Sequence, residues 1–419
     1  MTVPHRLRLH PRTIRILQTS LAGIALASLL PGLLPPGVYR KDFQVEYLTA
    51  WAWREGTDIF APLTELSARY FPLPTDQFAH PSPHPPVLAL LCVPLTFLPF
   101  PLVATLWLAF NVFLLLAVGR WLGFWAPGSL ALALWPPLLN VLSIGQFELL
   151  ILALTMLGWR AAAAGRDWRA GLWLGVAAAI KVYPVLFLIP YAIRRRSRIA
   201  VAAAAVILVS QLGNLAAVGR SGVVRYYGEI LPAVSNQYLH TVLNSSPYAA
   251  LLRLFGGAND VAPLIYAPGI VVPLAVAVSL LACVALMRLE PEVAPVAALV
   301  ALPAVWNYYV VLALPQIIAL LRAEGLRLRV VVAVSAASFT VPLVRFVLQC
   351  CSGFGPSNAG SVSPIAALLT AVQPAGFIGL LILSIRIHEK ARKSTAGGGM
   401  CFTPGPRMRL PTSGPDPPG

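Results

Sequence analysis

The chain has 419 residues, of which 58% are hydrophobic and only 11% are charged, and its mean hydropathy is +0.76. A soluble globular protein carries roughly 25% charged residues, so this composition excludes a water-soluble enzyme. The formal net charge of +16 forms no single basic patch and is accompanied by no recognition motif, which argues against nucleic acid as a partner. Apolar runs recur from about residue 14 to residue 387 and predict a single polytopic membrane domain.

Twelve apolar runs are predicted membrane spans. The first follows four arginines and is too long for the core of a cleavable signal. Several others are shorter than the roughly 17 residues that cross a bilayer, which predicts tilted or broken helices. A Pro-containing run at 130–144 is expected to be re-entrant or half-buried. The predicted spans are residues 16–38, 85–100, 101–119, 145–160, 170–181, 182–193, 199–217, 263–287, 293–305, 308–321, 330–349 and 362–385.

The distribution of Lys and Arg predicts the orientation in the cell membrane. Segments predicted to be cytoplasmic carry 21 of these residues and outward segments carry 7. Function often lies in loops on a rigid scaffold, and the first outward loop holds six of the fifteen acids. The predicted organisation is a basic cytoplasmic arm (1–15), a membrane domain (16–387) with long outward loops (40–84 and 218–262), and a disordered cytoplasmic tail (388–419).

Asp42 lies about four residues beyond the first predicted span, at the outward boundary of the membrane. Partial desolvation at this depth would raise its pKa and make it a base for a hydroxyl group, although the adjacent Lys41 opposes the shift. The alternative is a solvated loop acid, because a loop with six acids places one near a span by chance.

Polar residues also interrupt two later apolar runs. Gln146 and Glu148 either face a water-filled or protein-lined cavity or satisfy the free N–H groups of an interfacial helix N-terminus. Lys181 has no acid near it in the sequence and therefore needs an anion such as a phosphate, unless it snorkels to the interface. Pro184 follows closely and predicts a break in the helix that would open a cavity.

Neither the histidines nor the cysteines indicate a metal site or a disulfide framework. The six histidines form no ligand spacing, and two of the five cysteines are adjacent. Trp306 fits an ordinary aromatic belt at the membrane interface. Asn244 begins a glycosylation sequon, although Pro247 follows it and the pattern is common by chance.

Several short motifs nevertheless occur in an order that resembles one enzyme family. They are Asp42 to Tyr47, Gly56 to Phe60, His84-Pro85-Pro86, Gly145 to Glu148, Ala170 to Pro184, Asn244-Ser245-Ser246 with Arg253 downstream, and Trp306 to Tyr308. Together they resemble glycosyltransferase family 87, the polyprenyl-phosphate-mannose-dependent mannosyltransferases of the GT-C superfamily. Three positions depart from that pattern: His84 stands where Tyr is usual, Glu148 where Asn is usual, and Asn307 where His is common.

The resemblance implies an all-α GT-C helical bundle with about twelve transmembrane helices. It implies transfer of a hexose, mannose in this family, from a polyprenyl-phosphate donor to a lipid or glycan acceptor on the outer face, with inversion and without a metal or another cofactor. Asp42 would be the general base, and Lys181, Arg225 and Arg253 would bind the donor phosphate. The remaining residues implied in substrate binding are His84, Gln146, Glu148, Tyr183, Asn244, Trp306 and Tyr308.

Two other classes of membrane protein share some of these features. A transporter or lipid flippase also has many spans, but such proteins are often built from internal repeats, and the two halves here show no convincing repeat. A glycan ligase or polymerase would depend on arginines and a histidine in a large late loop, whereas residues 350–361 are few and uncharged. The acidic first outward loop, with Asp42 near its start, favours an enzyme.

Overall fold

A computed structural model describes residues 10–71, 79–239, 241, 244–256, 263–323, 325–338 and 364–396. These residues form α-helices joined by 3-10 and π turns, and no β-strand occurs among them. The all-helical membrane architecture predicted from the sequence is therefore confirmed at this level. The helices are α1 (Pro11–Leu29), α2 (Gln44–Arg54), α3 (Leu63–Tyr70), α4 (Val87–Cys92), α5 (Phe100–Trp121), α6 (Ala126–Ala131), α7 (Pro136–Ile144), α8 (Glu148–Ala163), α9 (Asp167–Ile180), α10 (Ile189–Ile193), α11 (Ser197–Arg225), α12 (Leu231–Leu239), α13 (Pro247–Leu251), α14 (Val271–Arg288), α15 (Ala294–Ala301), α16 (Leu314–Arg322), α17 (residues 327–338) and α18 (Pro364–Ala396).

Five described helical segments are long and apolar enough to cross a membrane. They are Pro11–Leu33, Phe100–Trp121, Ser197–Leu239, Pro268–Arg288 and Leu368–Glu389. The 91° bend between α6 and α7 gives a sixth span if the pair is counted as one, and this bent pair covers the run expected to be re-entrant. The described residues thus support five or six spans and not the predicted twelve.

The difference in span number has a simple geometric cause. Four of the predicted runs form shorter apolar helices, which at 1.5 Å per residue do not match the roughly 30 Å hydrocarbon core. Prolines start or interrupt these segments and divide the apolar runs into short pieces. They are Val87–Phe97, Tyr183–Ile193, Pro291–Ala301 and Asn307–Arg322. The run at 330–349 lies partly outside the described residues.

Helices also occupy some residues that were predicted to be loop or tail. Residues 218–239 were predicted to be loop, but they continue the helical path of α11 through a π turn into α12. The chain bends at Gly219, whose φ of +67° glycine adopts without strain, and then resumes as helix. Helix α18 continues through Ala396, beyond the predicted boundary at 387. The remainder of the predicted tail lies outside the described residues.

Helices α8, α9 and α11 pack closely and hold the later polar residues in place. Two glycines on one face of α9 allow this close approach. A Cβ on Gly171 would collide with the carbonyl oxygen of Ile199, and one on Gly175 would lie 2.9 Å from the Cα of Ala203. Small residues four apart are a common way for membrane helices to approach one another. The packed hairpin of α8 and α9 brings the beginning of α8 beside the end of α9.

Candidate active site

The segment that carries Asp42 is fixed against the end of α7. Phe43 stacks on Trp107 with ring centroids 4.4 Å apart, and its backbone N–H donates to the carbonyl of Ile144. The Lys41 ammonium donates to the carbonyl of Ser143 at 2.5 Å, at the C-terminus of α7, where a cation is favourable. These contacts hold the residue between them, Asp42, beside the turn that joins α7 to α8.

That turn depends on Gly145, which ends α7 with a φ of +77°. A side chain there would be strained and would crowd Phe43 and Trp107. The Gly145 carbonyl accepts a hydrogen bond from the Trp107 indole at 2.8 Å. The glycine of the Gly145-Gln146 motif therefore has a conformational role, because it directs Gln146 towards Asp42.

Asp42, Gln146, Lys181 and Glu148 form a continuous polar chain. The Gln146 amide nitrogen, Nε2, donates to Oδ2 of Asp42 at 2.5 Å, and its Oε1 accepts from the Lys181 ammonium at 3.1 Å. Lys181 Nζ also donates to Oε1 of Glu148 at 2.5 Å. The structure thus brings together four residues that the sequence analysis singled out as site residues.

The Asp42 carboxyl group is largely desolvated by protein atoms but is still partly accessible to solvent. Its side chain is partly exposed, yet the surrounding protein atoms desolvate it and raise its pKa to about 6. The hydrogen bond from Gln146 opposes this shift, as does the positive charge of Lys181. A carboxyl group with a pKa near neutrality is suited to accept a proton from a hydroxyl group.

Lys181 is buried and its charge is balanced within the protein. Besides Glu148, it lies over the rings of Tyr308 and Tyr309, with its ammonium 5.9 and 5.1 Å from the two centroids. Tyr183 packs against Tyr309 at 4.9 Å. The sequence suggested a cation without an acid, but the fold supplies Glu148 as its partner.

His84 lies beside a second buried acid. Its Nδ1 is 2.5 Å from Oε1 of Glu46, which is 1% exposed on α2. The two residues share the lining of a small cavity with Phe60 and Ser82. His84 also packs edge-on against Phe147, which directly follows Gln146. This cavity therefore adjoins the Asp42 site.

Comparison with known protein families identifies the class. The profile of glycosyltransferase family 87 matches residues 83–315, which is more than half of the chain. The chain belongs to glycosyltransferase family 87. No curated protein and no solved structure matches it significantly. The matched region includes His84, Gln146 and Lys181, whereas Asp42 precedes it.

Family 87 membership makes the protein a membrane glycosyltransferase. Such an enzyme needs a sugar donor and an acceptor, and the polar chain from Asp42 to Glu148 is the candidate place for their reaction. Among the described residues, no group of three or more His, Cys, Asp or Glu side chains could hold a metal ion.

The two arginines that were expected to bind the donor phosphate together with Lys181 have other interaction partners in the structure. Arg225 is exposed, pairs with Asp58 at 3.0 Å and lies over the ring of Phe60. Arg253 is fully buried and donates to the hydroxyl of Thr370 and to the carbonyl of Thr241. Burial lowers the pKa of Arg253 to about 9, and its Nη2 has no hydrogen-bond partner within the described structure.

Asn244 has a structural role that the sequon did not indicate. Its Nδ2 donates to the carbonyls of Tyr238 and Pro303, and its Oδ1 accepts from the backbone N–H groups of Ser246 and Val305. The amide therefore uses its full hydrogen-bonding capacity to fix the segment that precedes Trp306. In this conformation the buried amide has no donor or acceptor left for a glycan or a substrate, and the role of Asn244 in substrate binding stays a prediction.

Trp306 and Tyr308 extend this segment towards the polar chain. Trp306 packs against Tyr238 at 5.0 Å, and its ring stacks at 6.4 Å on that of Tyr308.

The sequence analysis missed Glu46 and Tyr309 as members of the site. Glu46 could have been considered because it lies only four residues after Asp42, in the first turn of α2.

Proposed function

We propose that this enzyme transfers a hexose, mannose by family resemblance, from a polyprenyl-phosphate donor to a hydroxyl group of a lipid or glycan on the outer face of the membrane. The observation that carries the proposal is the Asp42–Gln146–Lys181 chain, which holds a carboxyl group and an ammonium at opposite ends of one amide. Glycosyl transfer from a phosphate requires both a base for the acceptor and positive charge for the leaving group.

Asp42 acts as the general base in this mechanism. It takes the proton from the acceptor hydroxyl while the acceptor oxygen forms a bond to the anomeric carbon. The bond between that carbon and the phosphate oxygen breaks on the opposite face, and its electron pair remains on the phosphate. The configuration at the anomeric carbon therefore inverts. Partial exposure of Asp42 allows an acceptor to reach it.

Lys181 stabilises the phosphate as negative charge develops on it. An oriented cation in a site with little water is more effective than the same charge in solution. Arg253 and Arg225 are further candidates for contact with the phosphate. Because these side chains supply positive charge, no metal ion takes part in the proposed mechanism.

The remaining residues of the site are suited to hold the sugar and the acceptor. Glu148 offers a polar group at one end of the polar chain and His84 offers one close to Phe147, while Tyr183, Trp306 and Tyr308 offer aromatic faces on which a sugar ring can pack. Aromatic rings bind the apolar faces of such ligands while their hydroxyl groups find hydrogen bonds nearby. The outward orientation rests on the distribution of Lys and Arg along the chain.

The test uses purified protein in liposomes with a radiolabelled polyprenyl-phosphate mannose and a lipid extract as acceptor. The wild-type enzyme should move the label into a new product, and Asp42→Asn should abolish this transfer while the protein remains folded. Glu65→Gln is the matched control, because Glu65 is an exposed acid of the same outward segment, on α3. Movement of intact donor across the liposome membrane without a new product would favour a flippase instead.

A further inference from the structure

The Lys181–Glu148 pair has a consequence for donor binding. Glu148 begins α8 and its side chain is 0% exposed, with Oε1 bonded to the Lys181 ammonium. Its second oxygen, Oε2, is buried and has no hydrogen-bond partner within the described structure. The charge of Lys181 is therefore balanced before any donor arrives, and one carboxyl oxygen is left unused.

A donor phosphate would add another negative charge to a site that already holds several acids. Among the described groups that interact with Glu148, Lys181 is the cation. With Glu148 ionised, the phosphate would share this cation with the carboxylates of Glu148 and Asp42 in a site of low dielectric, where like charges repel strongly. The described titratable groups that interact with Glu148 are Asp42, Lys181, Tyr183, Tyr308 and Tyr309. Glu46 interacts in turn with Lys181, and His84 with Asp42.

The Glu148 side chain cannot turn away from a phosphate bound at Lys181 without a large cost. It is the first residue of α8, and α8 packs against α5 and α9. Rotation of the side chain away from Lys181 would leave a buried carboxylate without its cation, which is costly. Protonation removes the charge without moving the side chain, and it converts the unused oxygen from an acceptor into a donor.

We propose that Glu148 takes up one proton when the donor phosphate binds beside Lys181, and that its protonated Oε2 then donates a hydrogen bond to a phosphate oxygen. This inference rests on the proposed function, because it assumes a phosphate-linked donor at Lys181. Lys181 keeps its positive charge and directs it towards the phosphate. Glu148, which departs from the family pattern, thereby becomes a donor-binding residue whose contribution to affinity depends on pH.

The experiment measures the dissociation constant of a short-chain polyprenyl-phosphate mannose for the full-length enzyme in nanodiscs, from about pH 5.5 to about pH 8.5. The donor is a phosphodiester whose single acidic group stays ionised over this range, so it contributes no slope itself. The wild-type dissociation constant should rise with pH by up to about tenfold per unit, because binding takes up one proton. For Glu148→Gln, the dissociation constant of the donor should not show this increase with pH.

Matched variants separate Glu148 from the other groups that titrate. Asp42→Asn and His84→Gln should each retain the slope of the wild type, because Glu148 is still present. Glu65→Gln removes an exposed acid of the outward segment and should match the wild type in both slope and affinity. Loss of the slope in Asp42→Asn or His84→Gln, with its retention in Glu148→Gln, would assign the proton elsewhere and overturn the inference.

The outcomes also separate this inference from the proposed function. A wild-type enzyme that binds the donor with the same affinity at every pH, and equally well as Glu148→Gln, contradicts proton uptake but leaves the transferase proposal intact. Failure of both proteins to bind the donor at any pH, in samples that remain folded, contradicts the proposed function itself. Lys181→Met combined with Glu148→Gln should bind weakly at all pH values, since it lacks the cation.

Discussion

Asp42 and Lys181 contact opposite ends of the same amide, that of Gln146. The carboxyl group accepts from Nε2 at 2.5 Å, and the ammonium donates to Oε1 at 3.1 Å. These two contacts determine which end of the amide faces Asp42, because only Nε2 can donate. The base and the cation therefore fix each other's position through a neutral side chain.

Replacing Gln146 with Leu should reduce kcat by about 10²-fold, because the Asp42 carboxyl is then free to rotate away from its productive orientation. The variant also loses the hydrogen bond that lowers the pKa of Asp42, so the acidic limb of the pH–rate profile should move to higher pH. Steady-state kinetics over a range of pH provide the measurement. A lower kcat with an unmoved limb would mean that Gln146 does not act through Asp42.

The activity of the wild type should depend on pH through Asp42. Its pKa of about 6 means that the rate at saturating donor should fall about tenfold per pH unit below that value and reach a plateau above it. The folding stability changes with pH in the opposite direction to the activity. Because the folded-state pKa is raised, ionisation of Asp42 opposes folding, and its stabilising contribution as a neutral group is lost as the pH rises through about 6.

Asp42→Asn therefore separates the two effects. The variant should have a higher thermal denaturation midpoint than the wild type at neutral pH, and the two proteins should differ little at about pH 3, where Asp42 is largely protonated in both the folded and the unfolded wild type. Thermal denaturation in detergent at the two pH values provides the measurement. An inactive variant that is destabilised at neutral pH would indicate a misfolded site rather than a missing base.

The sequence predicted the members of this site better than their contacts. The order of the motifs grouped Asp42, Gln146 and Lys181 as candidate site residues, and the structure brings these three side chains together. The partner of Lys181 was missed because Glu148 is distant in the chain. Helices α8 and α9 have similar lengths and a short connection, so an antiparallel hairpin would have placed Glu148 beside Lys181.

Other features of the structure could not be predicted from the sequence, for a different physical reason. Residues 218–239 contain enough charged and amide side chains to resemble a loop, but the apolar residues between them sustain a helix beyond Gly219. Arg253 was grouped with Lys181 because both are cations within the resemblance. Its hydrogen-bond partners, Thr241 and Thr370, come from segments that only the tertiary fold brings together.

Lys181→Met should be strongly destabilised, because it leaves the buried Glu148 carboxylate without a cation. Breaking a buried ion pair on one side costs about 3–5 kcal/mol. Adding Glu148→Gln should restore most of the thermal stability, because no uncompensated charge remains. Denaturation midpoints of the single and double variants provide the measurement. Equal stability of the two variants would show that the carboxylate is neutralised by another group.

Asn244→Ala should lower stability without raising the KM for the donor. The substitution leaves the backbone N–H groups of Ser246 and Val305 without their acceptor, at a cost of about 1–3 kcal/mol each. Asn236→Ala is the matched control, since Asn236 is exposed on α12. Thermal denaturation and donor kinetics of both variants provide the test. A raised KM in a variant of normal stability would make Asn244 a substrate ligand.

The distribution of Lys and Arg predicts that the segment of α2 and α3 faces outward, together with Asp42. A cysteine at Glu65, which is exposed on α3, should react with a membrane-impermeant thiol reagent in intact cells that express a cysteine-free background. A cysteine at Ala164, exposed between α8 and α9, should react only after permeabilisation. The reverse pattern would invert the topology and place the Asp42 site on the cytoplasmic side, where an outward lipid-linked acceptor could not reach it.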